Sequence, residues 1–394
     1  MRKVALLAVI LSFSCALLAG EPAQLPYVYT KWKHFTVADG LPSDHIFAVK
    51  VDGPRVWVGT EEGLAMIDKA TGKVKSWTEK DGLPFKVVTA IDVDQKTGDV
   101  WLGMFGGGLA RFSGGRFDHW HQLNSGLVND VVYGVAVQDQ YVWAATTAGA
   151  SRFNTVTSEW TIYTEKNAPM EEIWNYNVAL GKGKMYLAVW GSGMLTFDLA
   201  SERWNAYLDP DREMEIDLYR DDGIVHVIVT AASPAPNSDV VWISSYFGAC
   251  RYDGRHWRAF YNLDSGLAND FINNTKARSE DEAWFATDKG ASAITDFNSN
   301  TWVTYTTNPD GKTGKAVITK DKTVLETIDL PVSIPHNFII NYDIDGNDIW
   351  VATAKGLGWG IGDGYYPRLK TRQALAVKTA KKPTARTTHT GGAQ

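Results

Sequence analysis

The 394-residue chain lacks most of the features that ordinarily announce an activity. It has two cysteines, Cys15 and Cys250. Cys15 lies in an N-terminal apolar stretch whose removal would leave Cys250 alone, so no internal disulfide is expected. Cys250 sits in "GACRYDG", which aligns with "GLARFSG" at 108 and reads as a packed third strand holding a structural thiol. The net charge of −6 provides no basic stripe, which argues against a nucleic-acid surface. Beyond the N-terminus no apolar run is long enough to span a bilayer. No stretch keeps the i, i+3, i+4, i+7 spacing of an amphipathic helix. There is no nucleophile elbow and no ligand triad of metal spacing. "DPDREMEID" at 209 alternates acids but lacks the glycine and terminal glutamate of a calcium loop. Neither metal nor cofactor is expected.

The ends differ from the rest. Arg2 and Lys3 precede apolar Val4–Phe13 and a small-residue exit "LLAG", the pattern of an export signal over residues 1–20. Ser12-Phe13-Ser14 lacks the aliphatic residue expected three positions before a lipidated cysteine, so an anchor at Cys15 is not expected. Residues 371–394 are basic, rich in Thr and Ala, and free of acids and aromatics, which reads as a disordered tail. The implied location is periplasmic or secreted.

What the chain has in abundance is a repeat. "WVGTEEG" at 57 returns as "WLGMFGGG" at 101, "WAATTAG" at 143, "YLAVWGSG" at 186, "WISSYFG" at 242, "WFATDKG" at 284 and "WVATAKG" at 350. The intervals are 44, 42, 43, 56, 42 and 66 residues. A period near 40–45 marks propeller blades, each a small four-stranded sheet. A second aromatic series, beginning "KWKHF" at 31 and ending "NTWVTY" at 300, follows each inner copy except that its first member precedes them all. The copy at Trp350 therefore has no outer partner downstream. The reading is an all-β, seven-bladed propeller over residues 27–370, its ring closed by the N-terminal strand around Trp32. Most tryptophans then belong to packing between blades.

"DGLPSDHI" at 39, "DGLPFKVV" at 81, "NSGLVNDV" at 124 and "DSGLANDF" at 264 precede inner copies. Together with Trp-x-Gly-Thr-x-x-Gly-Leu, they resemble the two-component regulator propeller repeat over roughly residues 30–367. The resemblance implies a sensor propeller outside the bacterial membrane. It departs from the usual member in having no membrane span, kinase or response-regulator segment.

In a blade whose strands run A to D outward, the D–A and B–C connections share one face. Three features fall there. Asp44-His45, Lys86-Val87, Asn129-Asp130, Glu172-Ile173, Asn269-Asp270 and His336-Asn337 precede successive A strands, with His226 near the corresponding place in blade 5. Phe105, Trp190 and Tyr246 stand four residues after inner aromatics. The long intervals place insertions at about 209–222 and 309–335, and the second alternates around "KDK" as an added hairpin would. Polar groups converging beside aromatics describe a binding surface. Its carboxylates outnumber its lysines, which favours a cationic or hydroxyl-rich ligand. The expected function is non-catalytic recognition of a glycan, peptide or envelope protein by a monomer. The alternative is a lyase or hydrolase using His45 or His336 as acid and base. Streptogramin lyase-like propellers use a histidine on this face, though no matching motif occurs here.

Overall fold

The structure, a computed structural model, describes residues 25–212 and 221–364. Seven antiparallel sheets stand in a ring, in blades at 46–77, 88–120, 132–163, 175–207, 229–260, 272–330 and 339–360. We number them 1 to 7. In blade 1 the strands are Ile46–Asp52, Arg55–Thr60, Gly63–Asp68 and Val74–Trp77, and the other blades repeat this A-to-D order. Blade 7 supplies only three strands from its own segment. Its fourth is Trp32–Phe35, paired antiparallel with Gly356–Gly360 so that Trp32 faces Gly360 and Phe35 faces Leu357. The ring thus closes as the displaced aromatic series implies. Tyr29 reinforces the closure: it is buried, its amide donates to the Tyr305 hydroxyl at 3.0 Å, and its carbonyl accepts the Trp32 indole N–H at 3.0 Å.

The repeated "WVGTEEG" motif has a local cause. Strand B brings Trp57 into the gap between blades, where it stacks on Trp77 and meets Phe112 of blade 2. Thr60 ends the strand by donating its hydroxyl to the Gly63 carbonyl at 2.9 Å. Gly63 has φ +153°, and a Cβ there would stand 2.5 Å from the Trp77 carbonyl oxygen, so only glycine lets strand C start beneath strand D. The same bond recurs from Thr146, Ser245, Thr287 and Thr353.

Blade 6 carries two extra strands, Gly314–Lys320 and Thr323–Leu330, added to its outer edge. Asp321 and Lys322 both have positive φ, the two-residue turn whose twist suits a hairpin. This is the hairpin read from "KDK". It is embedded in the blade, since Ala316 and Ile318 are fully buried. Cys250 is buried on strand C of blade 5. The export signal, the basic tail and the centre of the 209–222 insertion lie outside the described residues. No helix among the described residues is long and apolar enough to cross a membrane.

Candidate functional site

Strand A of every blade starts with the same irregularity. Pairing with strand B slips by one residue after the first position, between Ile46 and Ala48 in blade 1 and at the equivalent place in the other six. A bulge turns one side chain out of the ladder and re-aims it. All seven bulge residues line the axial channel: Phe47, Thr89, Tyr133, Tyr176, Thr230, Asn273 and Ile340. The channel has a volume of about 1150 Å³. In blades 1 to 5 and 7 the residue just before strand A is tied by its carbonyl to the B–C turn of its own blade. Glu61 N–H donates to His45 at 3.1 Å, Phe105 to Val87 at 3.0 Å, Trp190 to Trp174 at 2.8 Å and Tyr246 to Ile228 at 3.2 Å. D–A links and B–C turns therefore meet on one face and form the channel mouth.

Around blades 2 to 6 that mouth is aromatic. Phe105 meets Tyr133 edge-on at 5.7 Å, and Tyr133 lies 6.1 Å from Trp174 and 5.6 Å from Tyr176. Trp174 stacks on Trp190 at 5.7 Å, Trp190 meets Tyr246 at 5.7 Å, and Tyr246 stacks on Phe271 at 4.2 Å. Hydroxyls of Tyr176 and Tyr246 share a hydrogen bond of 2.9 Å. Burial, and then that bond, push the Tyr176 phenol well above its ordinary pKa, so it stays neutral. Phe105 and Trp174 remain 45% and 38% exposed.

The opposite side of the channel is polar. At the mouth the His45 ring lies tilted against Phe47 at 4.5 Å, with Nδ1 3.7 Å from a Glu61 carboxylate oxygen. Deeper, at the level facing the strand-B aromatics, stand Lys50, Asp92, Lys276 and Asp343. Lys50 bridges to Asp92 and Lys276 to Asp343, each at 2.7 Å. Each carboxylate also accepts a backbone N–H from the next blade: Val51 for Asp343 and Val137 for Asp92. Burial opposes charge on Asp343, but Lys276 and Lys50 outweigh it and hold the carboxyl below its usual range. Blades 3, 4 and 5 carry Ala136, Ala179 and Ser233 at this level.

Of the residues expected from the sequence, the structure brings His45, Phe105 and Tyr246 to the channel and places Trp190 beside Tyr246. The remaining polar candidates hold loops. Side-chain oxygens of Asp44, Asp130, Asp270 and Asn337 accept the N–H of Val37, Gln122, Asn262 and Thr307 respectively, fastening each D–A link across its own span. Asn129, Asn269 and His336 each accept the N–H two residues on, as does His226. Burial, then Lys355, lower the pKa of His336. Glu172 packs its side chain against Gly191. The aligned pairs were also one residue out of step: Asp44 and Lys86 correspond to Asp130, Ile173, Asp270 and Asn337, not to the residues before them. Asp44 is not the acid beside His45; Glu61 is. It stands four residues after Trp57, the spacing that found Phe105, Trp190 and Tyr246. Tyr133 and Tyr176 were missed because the bulge breaks the alternation that would have aimed them, and Trp174 and Phe271 because they stand in the D–A link, one residue before strand A. Among the described residues no group of His, Cys, Asp and Glu is placed to hold a metal ion.

No family model matches the sequence, and no curated protein matches it. Solved structures do. The extracellular domain of BT3049, a proposed hybrid two-component system of B. thetaiotaomicron, matches at 15% identity and a TM-score of 0.63, over 86% of this chain and 42% of that one. PorZ, a surface component of the type-IX secretion system of Porphyromonas gingivalis, matches at 13% identity and 0.58, over 82% and 47%. Virginiamycin B lyase of Staphylococcus aureus matches at 14% identity and 0.55, over 84% and 97%. The chain thus spans less than half of the first two. At these identities the likeness establishes the propeller fold alone. The chain shares that fold with extracellular domains of two-component systems and with one enzyme.

Proposed function

We propose that the protein is an exported, non-catalytic recognition propeller that binds its ligand on the aromatic arc of the channel mouth. The carrying observation is the unbroken contact from Phe105 through Tyr133, Trp174, Trp190 and Tyr246 to Phe271, with two of these rings substantially exposed. Aromatic faces flanked by hydroxyls suit the apolar face of a sugar ring or an aliphatic side chain. The likeness to BT3049 supports a sensing role outside the membrane. A glycan, a peptide or an envelope protein is the expected partner class, and the polar candidates Asp44, Asn129, Asp130, Glu172, Asn269, Asp270, His336 and Asn337 shape the loops around it.

A second reading rests on the His45–Glu61 pair, which has the composition of a general acid–base couple, and on the likeness to a lyase. Exchanging His45 for alanine separates the two. Under the recognition reading, ligand capture from envelope extracts is kept in His45→Ala and lost in Trp174→Ala. Turnover of any captured compound that disappears with His45 would favour the enzyme.

A further inference from the structure

Six of the seven inter-blade seams are filled at strand B by tryptophan: Trp57, Trp101, Trp143, Trp242, Trp284 and Trp350. In blades 2, 3 and 5 the facing strand-C residue is an arginine lying over that ring, as Arg111, Arg152 and Arg251 do. Blades 1, 6 and 7 keep the tryptophan opposite Met66, Ala293 and Trp359, whereas blade 4 has neither the tryptophan nor the arginine. Its strand-B residue is Tyr186, and the strand-C residue opposite is Thr196. Both replacements are smaller, and a cavity of about 280 Å³ lies between blades 4 and 5.

The cavity is built of polar groups. Tyr186 and Thr196 are each 5% exposed, line it, and have no hydrogen-bond partner for their hydroxyls among the described residues. Neither oxygen is among the buried polar atoms that lack a partner, so both are open to the cavity, where a guest can bond them in place of water. Tyr207 and Tyr252 form a wall, their rings 5.3 Å apart. The rim holds Lys184, Asp239, Asp253 and Arg255. Its acids are engaged: Asp239 with Lys182 at 2.5 Å, and Asp253 with the backbone N–H groups of Arg255 and His256 at 2.8 and 2.7 Å. Its cations are engaged less directly: neither Lys184 nor Arg255 makes an ion pair among the described residues, though Lys184 adds to Lys182 in holding the Asp239 carboxyl below its usual range. Asp239 belongs to an A–B turn and residues 253–255 to a C–D turn, so the cavity opens on the face opposite the aromatic mouth.

We propose that this seam binds a small hydroxylated carboxylate of sugar-acid size. Tyr186 and Thr196 meet its hydroxyls, the tyrosine wall its C–H face, and Lys184 with Arg255 its carboxylate. The site is independent of the channel mouth.

The test is calorimetric titration of the full chain with D-galacturonate and D-gluconate, with D-galactose as the uncharged control. Saturable binding of at least one acid, at least tenfold tighter than galactose, is expected. Tyr186→Phe with Thr196→Val should weaken it at least tenfold, and Lys184→Ala with Arg255→Ala should abolish the preference over galactose. Tyr186→Trp restores the residue of the other seams. It should remove binding while the thermal midpoint stays at or above wild type, which distinguishes a filled site from an unfolded protein. Trp174→Ala, on the far face, should leave the affinity within twofold. The proposal is overturned if neither acid saturates, if galactose binds equally well, if Tyr186→Trp binds as wild type does, or if Trp174→Ala abolishes binding.

Discussion

Two halves of one channel wall use the same backbone for different ends. Around blades 6, 7, 1 and 2, where the two ends of the chain must be held together, the inward residues are Lys276, Asp343, Lys50 and Asp92. Around blades 3, 4 and 5 they are Ala136, Ala179 and Ser233, and the aromatic rings gather at the mouth above them. Strands A and B of both halves pair in the same way, bulge included. Along the channel wall the difference therefore lies in side chains at equivalent positions. The closing half spends those positions on bonds between blades, while the continuous half leaves them small and exposes its rings to solvent.

Changes in the closing half should cost stability, and those in the aromatic half should cost binding. Trp32→Ala should have the largest effect, about 3–5 kcal/mol by urea denaturation, because it empties a buried site between Tyr305 and Gly360 on the closing strand. Removing residues 27–35 altogether should abolish the cooperative transition. Asp343→Asn comes next, at about 3 kcal/mol, since it leaves Lys276 unpaired in the channel wall. The pH dependence has a definite sign. A carboxyl held below its ordinary pKa stabilises the fold fully above that value, near 4, and progressively less as the pH falls through the folded value. The gap in thermal midpoint between wild type and Asp343→Asn should accordingly close on acidification below about pH 4. A gap that persists there would remove the charge pair from the account.

In the aromatic half, Tyr246→Phe should cost about 1 kcal/mol, the usual worth of one part-buried hydrogen bond. Trp174→Ala should cost about 1 kcal/mol or less, since its ring is 38% exposed. A loss as large as that of Trp32→Ala would make the arc a packing device and erase the contrast between the halves.

How much of this was legible follows the same division. Seven blades and their closure could be read because the glycine of Gly63 recurs in every blade, the tryptophan of Trp57 in six and the hydroxyl bond of Thr60 in five, and because the outer aromatics are displaced by one blade. The B–C side of the mouth was legible at a constant four residues from the inner aromatic. The D–A side was not. Asn129, Asn269 and His336 have the composition of a ligand ring, yet the backbone of their own loops uses them. Tyr133 and Tyr176 read as ordinary strand residues until the bulge turns them into the channel. A one-residue slip in register is invisible in composition but decides which side chain faces the ligand.

The most direct measurement is binding of the wild type, Trp174→Ala with Tyr246→Ala, and His45→Ala to immobilised glycan and peptide arrays, each protein first shown to be folded by its thermal transition. The recognition account predicts that features bound by the wild type are lost at least tenfold by the aromatic double variant and retained by His45→Ala. Full retention by the double variant, or loss confined to His45→Ala, would contradict it.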